Sequence, residues 1–330
     1  MFDAMDFAIF NALQISPRIS WARLGQILMI DPSTLSRRWS RVTRERRAWS
    51  SCFHAVNDRM EDLATAVVEI RCRPGSRERV IGLLSHEAPV VSIHCTSGAR
   101  DLVLTVSLPN RIAVDRYVDQ VIGPVPGVRR METSYVRHFF KAGSDWRPQA
   151  LTAAQARAVA ATLPSAAVDP RPNPGLLELI GAIGDDVRRP LSELQRRVGR
   201  SLSAVSRGMD TLLVASWVNW RIDFSHELGG WEELMLWLDV PQSELDDVAA
   251  TLRRFPQLRW CSSLTGTANL IATVCVRDLT ELDEIEGRLA ERFPAARVTD
   301  RCLVPRIAKR MGHVIDHDSR LTGYVPFTAG

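Results

Sequence analysis

The sequence predicts an α+β chain of two winged helix-turn-helix domains and two ferredoxin-like βαββαβ domains in tandem. Three observations carry that expectation. A basic, helix-patterned stretch occurs twice, a strand-turn-strand pattern occurs twice, and an Ala- and Pro-rich segment separates the two sets. At 330 residues the chain is also too long for one ordinary core, and roughly 100 to 200 residues per domain gives two to four domains.

The internal repeat sets the organisation. At an offset of 170, Leu24 falls on Leu194, Ser33 on Ser203, Ser36 on Ser206 and Arg37 on Arg207, with Leu35 on Val205 and Val42 on Leu212. At an offset of 168, TSGARDLVLTV from Thr96 falls on LTGTANLIATV from Leu264, so Gly98 meets Gly266 and Asp101 meets Asn269. The expected domains are 1–57 and 174–225 (helix-turn-helix), 58–142 and 226–310 (ferredoxin-like), a linker over 143–173 and a tail over 311–330. Within the linker, 152–163 has the composition of a short helix, whereas Pro170, Pro172 and Pro174 read as extended chain.

In the first helical unit, Phe7, Phe10 and Leu13 share one helix face, and Ser20 is placed to cap a second helix carrying Ala22, Leu24 and Ile27. Asp31 then supplies a capping oxygen and Pro32 takes the first helical position, where its missing N–H costs nothing. The helix that follows, over 33–47, buries Leu35, Trp39 and Val42. In the second unit Pro190 opens the middle helix, Gly199 makes the turn, Ser201 caps, and Val205, Met209 and Leu212 face inward. Segments 49–56 and 217–224 alternate enough to be short wing or hinge strands.

Each ferredoxin-like unit reads strand, helix, strand, strand, helix, strand. The first runs over 64–72, 75–85, 90–96, 101–107, 111–122 and 128–140; the second over 233–240, 243–255, 258–264, 269–276, 279–293 and 297–304. Helices then cover one face of each antiparallel sheet. The opposite face is expected to carry Val68 and Ile70 in one copy and Leu236 and Leu238 in the other, and pairing the two sheets of one chain would cover it.

Charge is polarised far more than its total suggests. The net +4 comprises +6 over 18–47, where eight arginines face only Asp31 and Glu45, +4 over 188–213, where six face Glu193 and Asp210, and −6 elsewhere. Positive charge confined to two stretches is the footprint of polyanion binding, although a solvated helix face leaves the same trace. The candidate DNA contacts are Ser33, Thr34, Ser36, Arg37, Arg38 and Arg41 on the first recognition helix and Ser201, Ser203, Ala204, Ser206 and Arg207 on the second. A helix of this kind fits the major groove of double-stranded DNA, with Arg bidentate to guanine and Ser or Thr reaching bases or phosphates. The alternative is a three-helix bundle with arginines on its solvent side.

Composition excludes several classes. No apolar run approaches the roughly 20 residues a membrane helix needs, and the N-terminus has acidic residues where a signal peptide has basic ones, so a cytoplasmic location is expected. Cys52, Cys72, Cys95, Cys261, Cys275 and Cys302 show no C-x-x-C or His spacing, so neither a metal nor another cofactor is expected. No nucleophile triad, Walker loop or dinucleotide fingerprint is present, and no catalytic residue is expected.

The S-T-L-S-R-R run of the first recognition helix and S-L-S-A-V-S-R of the second are followed in the same order by the T-S-G-A-R-D and L-T-G-T-A-N turns, and V-P-G-V at Val125 precedes the last strand of the first copy, with Ala295-Ala296 replacing Gly127-Val128 in the second. In that arrangement the chain resembles a tandem duplication of the leucine-responsive/asparagine-operon (Lrp/AsnC) regulators, whose chain is one helix-turn-helix plus one sensing (RAM-type) domain. The resemblance implies a small-molecule effector, an amino acid or similar metabolite, near the G-x-x-D turn, which falls on Gly98 and Asp101 and on Gly266 and Asn269. It implies self-association into a homo-oligomer through the sensing domains. Because Asn269 replaces the acid, the second turn keeps hydrogen bonding and loses the charge that would pair an ammonium group. A plain tight turn would also use these residues. The differing recognition helices, with Arg38 and Arg41 against Gly208 and Thr211, imply an asymmetric operator.

Two rival readings remain. Siroheme decarboxylases resemble the same duplicated architecture and use histidines near the central strands of the sensing domain. Here only His94 lies near that place, and its repeat partner is Ser262. The other rival is a scaffold whose helix-turn-helix units serve assembly alone.

Overall fold

The computed structural model describes residues 1–54, 63–165, 169–225 and 229–326. The end of the first wing at Val56 and the domain boundaries at 57/58 and 225/226 touch residues outside that set. The chain divides into two compact units, 1–57 with 147–225 and 58–146 with 226–330, so like domains gather with like and not with their sequence neighbours. No helix among the described residues is long and apolar enough to cross a membrane.

The first unit holds both helix-turn-helix domains. Helices α1 (Ala4–Ile15), α2 (Trp21–Leu28) and α3 (Pro32–Arg44) form the first, and α7 (Pro174–Ile183), α8 (Leu191–Val198) and α9 (Leu202–Val214) the second. Their bounds track the repeat because the same caps recur: Asp3 and Asn173 open α1 and α7, Asp31 and Ser201 open α3 and α9. Met29 (φ 56°) and Gly199 (φ 64°) end α2 and α8 in the left-handed region. The turn chemistry there favours glycine, which only the second copy supplies.

Strands β1 (Ala48–His54) and β6 (Val218–Phe224) do not stand as separate wings. They pair antiparallel with each other, Ala48 opposite Phe224 and His54 opposite Val218, so each copy's strand satisfies the other's edge. Arg18 Nη1 donates to the carbonyls of Val187 (2.6 Å) and Arg189 (3.0 Å), and Arg188 Nη1 to those of Pro17 (2.9 Å) and Ile19 (3.0 Å). These reciprocal bonds obey the 170-residue offset, so the two domains are related by a pseudo-two-fold. Part of the expected linker forms α6 (Ala153–Ala160), which starts with a Thr152 capping box, buries Val159 and packs on α1 and α2. Thr162 Oγ1 donates to Ser16 Oγ at 3.0 Å.

The second unit holds both ferredoxin-like domains. The first copy is β2 (Ala64–Cys72), α4 (Arg77–Leu84), β3 (Val90–Cys95), β4 (Leu102–Leu108), α5 (Arg111–Tyr117) and β5 (Val128–Lys141). The second is β7 (Glu232–Asp239), α10 (Leu245–Leu252), β8 (Leu258–Leu264), β9 (Leu270–Val276), α11 (Thr280–Arg292) and β10 (Arg297–Val304). Sheet orders are β5-β2-β4-β3 and β10-β7-β9-β8, the antiparallel arrangement expected of a split βαβ fold. The final strand of each copy runs on to the other copy's sheet: residues 136–141 of β5 pair with β8, and β11 (Arg306–Arg310) pairs with β3.

The predicted sheet faces were reversed. Val68, Ile70, Leu236 and Leu238 lie on the helix side, packed with residues such as Val80, Val114, Val248 and Ile285. The neighbouring residues Val67, Val103, Met235, Trp237 and Ile271 form the core between the sheets. Both faces of β7 are buried and apolar over 234–238, so that run offers no polar contrast from which to read the pleat, and over 66–70 in β2 only Glu69 breaks the apolar run. The tail expected beyond Arg310 is strand as well: β12 (His313–Ile315) and β13 (Leu321–Tyr324) continue the sheet from β11.

Candidate nucleic-acid interface

Asp31 shapes the start of the first recognition helix. Its Oδ1 accepts the amides of Ser33 (2.9 Å) and Thr34 (3.3 Å) and the Ser33 hydroxyl (2.5 Å), and these bonds hold its carboxyl below the usual range, the hydroxyl contributing most. Leu35, Trp39 and Val42 are buried, which leaves Ser33 and Arg37 exposed and Thr34 and Ser36 half-buried on the other side. Arg37 makes no ion pair among the described residues. Arg44, exposed one further turn pair along the same face, extends the basic stripe, a residue sequence reading omitted although it stands seven places from Arg37.

Arg38 and Arg41 differ from the expectation. Arg38 Nη1 lies 2.7 Å from Asp3 and 3.0 Å from Asp6, and Arg41 Nη2 lies 3.1 Å from Asp6. Asp6 is 1% exposed, and a buried carboxylate needs cationic partners, so both guanidinium groups are drawn back onto α1. The hydrogen bonds from Arg38 to Asp3 and Asp6 raise its pKa further.

The second recognition helix is less basic. Ser201 caps it by accepting the Ala204 amide at 3.3 Å, and its hydroxyl lies 3.1 Å from Ser203 Oγ. Ser203 and Arg207 are exposed, and Ala204 and Ser206 half-buried. Much of the second basic cluster is spent internally: Arg189 pairs with Asp185 and Glu193, Arg197 with Glu193, and Arg200 with Glu178.

In the other unit, Gly98 (φ 85°) and Gly266 (φ 112°) make the tight turns after β3 and β8. Asp101 Oδ2 accepts the Cys72 amide at 2.8 Å, while Asn269 Oδ1 accepts the Val240 amide at 3.0 Å and its Nδ2 donates to the Val240 carbonyl at 2.7 Å. Both side chains therefore tie down the end of the strand next to their own in the sheet, β2 and β7 respectively. The turns also dock across the copies: the Ser97 amide donates to the Leu303 carbonyl (2.9 Å) and the Thr265 amide to the Tyr135 carbonyl (2.9 Å).

A buried polar group lies between the two sheets. Arg310 Nη2 is 2.6 Å from Glu233, His94 Nε2 is 3.5 Å from it and Arg259 Nε 4.0 Å, with Cys275 Sγ at 3.8 Å. Burial lowers the His94 pKa to about 4, with Glu233 opposing and Arg310 and Arg259 adding to the shift, so its ring is neutral at pH 7. The repeat partner Ser262 is buried too. No group of His, Cys, Asp and Glu suited to a metal ion occurs among the described residues.

The family model of the Lrp/AsnC ligand binding domain matches residues 65–145 and again 233–312. An uncharacterized HTH-type transcriptional regulator of Pyrococcus abyssi is 24% identical over 143 residues, 43% of this chain and 89% of its own length. The HTH-type transcriptional regulator Ptr1 of Methanocaldococcus jannaschii is 25% identical over 146 residues, 44% of this chain and 97% of its own. Each relative thus corresponds to less than half of this chain. Over nearly the full length, the siroheme decarboxylase NirDL shares the fold, with a TM-score of 0.54, 14% identity, and coverage of 94% of this chain and 93% of that one. The chain carries the Lrp/AsnC ligand binding domain twice and is similar, over less than half of its length at a time, to HTH-type transcriptional regulators.

Proposed function

We propose that the chain regulates transcription by reading an asymmetric operator in double-stranded DNA with its two helix-turn-helix domains, under control of an amino acid or related metabolite bound by the ferredoxin-like domains. One observation carries the reading: Arg37, exposed and without an ion pair among the described residues, stands beside the capped N-terminal turn with Ser33 and Thr34, where a recognition helix meets base edges. Arg44 below it and Arg207 on α9 supply further cationic groups. The unequal charge of α3 and α9 favours unequal half-sites, the first read by arginine and the second chiefly by Ser201, Ser203 and Ser206.

For the effector, the turn at Gly98 and Asp101 is the better placed of the two. Asp101 uses Oδ2 on the Cys72 amide and retains Oδ1 for an ammonium group, whereas Asn269 spends both ends of its amide on Val240. Exposed Leu83, Ile112 and Val121 on the helix layer of the first copy favour further self-association.

The test is a mobility-shift titration against the DNA upstream of the chain's own gene, at several salt concentrations and with an amino-acid panel. Log affinity is expected to fall linearly with log salt by about 0.9 per phosphate contacted. Absence of saturable duplex binding would overturn the reading.

The near-full-length likeness to NirDL favours a second reading, a tetrapyrrole decarboxylase. Against it, His94 is 8% exposed, neutral and turned to Glu233. A purified protein that takes up an iron porphyrin and releases carbon dioxide from it would establish the enzyme instead.

A further inference from the structure

The two helix-turn-helix domains differ in charge where α1 meets α3 and α7 meets α9. In the first copy Arg38 crosses this junction to Asp3 and Asp6. At the 170-residue offset these three positions become Gly208, Asn173 and Leu176, and Ile30 becomes Arg200. A socket that holds a cation between two carboxylates has lost both acids and its arginine, and gained an arginine at its rim. What stands there is a cavity of about 200 Å³ lined by Leu176, Leu179, Val205 and Gly208, with Asn173 and Arg200 as its polar side chains.

We propose that this cavity binds a small monocarboxylate whose apolar body is about the size of a benzene ring. The volume is sufficient for this, since a sealed apolar cavity of roughly 150 Å³ already accommodates benzene. Charge supports it as well. The Arg200 guanidinium lies against the backbone of Gly175, a position that a side chain would take from it, and already holds one carboxylate, Glu178, at 2.9 Å. Five N–H donors let one guanidinium serve both acids. The pair with Glu178 is about half exposed on each side, so it competes only weakly for the guanidinium. A bound acid would join α7 to α9 as the Arg38 bridge joins α1 to α3, firming the second recognition helix.

The experiment titrates benzoate, with benzamide as its neutral isostere, into the full chain by ligand-observed NMR. Saturable benzoate binding is expected, weaker by roughly tenfold or more in Arg200→Gln, because a charge-assisted bond is lost, while benzamide affinity stays within about twofold. Gly208→Leu is expected to abolish binding of both. A Cβ at 208 would come within 2.9 Å of Leu179 Cδ2, the mobile end of a side chain. Should that variant not fold, the exposed Arg200→Gln decides alone. No saturable binding at millimolar benzoate, or native affinity in Arg200→Gln, overturns the proposal, as does equal loss of both ligands in that variant. The consequence for α9 rests on the DNA reading, but the site does not: benzoate binding in a protein that never binds duplex would overturn the former and leave the latter standing.

Discussion

At the scale of single residues, adjacent arginines on α3 carry different burdens. Arg37→Ala is expected to weaken operator binding by about 1 to 3 kcal/mol, the worth of a bidentate guanine contact, and to leave the melting temperature unchanged. Arg38→Ala is expected to lower stability by roughly 1 to 3 kcal/mol in urea unfolding, since it leaves buried Asp6 with Arg41 alone. Equal stability of the two variants would contradict the bridge to α1. At the Gly98–Asp101 turn, proposed above for the effector, Asp101→Asn is the informative change, because Asn269 already performs the strand-end bond as an asparagine. The response of DNA binding to the amino-acid effector should fall, while folding and basal DNA binding persist; an undiminished response would return Asp101 to a purely architectural role. The distinction between Arg37 and Arg38 was not open to sequence reading. The acids that claim Arg38 lie 32 and 35 residues away, and a spacing of that size shows no local pattern.

Elements were legible wherever chemistry is local. The caps at Asp31 and Ser201, the proline opening α3 and the bounds of β2, β8 and β10 follow from residues within a turn of each other. Sheet faces were not, because two-sided burial removes the alternation, and the pairing of β1 with β6 joins strands some 170 positions apart. That pairing is reinforced by Arg188, which burial pushes down to about 10 and which also lies over the Trp21 ring at 4.2 Å. Arg188→Ala strands the carbonyls of Pro17 and Ile19, and a loss of about 1 to 3 kcal/mol is expected from chemical denaturation. A neutral substitution would show that the bonds from Arg188 add nothing to what the strand pairing and the Arg18 bonds already hold.

For the whole molecule, duplication was the most readable property and its use the least. The repeat offsets are visible in one dimension, but the gathering of like domains into two units depends on contacts that skip a domain. A pH dependence belongs to this scale, because His94 sits in the core shared by both copies. Its folded pKa of about 4 lies below the unfolded value of 6.5, so the unfolded chain takes up a proton first as pH falls. Stability is therefore expected to be full above pH 6.5 and to drain away between there and pH 4, by on the order of 1 to 3 kcal/mol. His94→Asn should flatten that slope in thermal melts at pH 7 and pH 5; an unaltered slope would place the titration elsewhere. The trailing strands, β5 and β11, each finish a sheet that the opposite half began. A single protease nick between the halves therefore should not release two proteins: fragments cut near residue 165 are expected to stay interlaced and elute together until denaturant separates them.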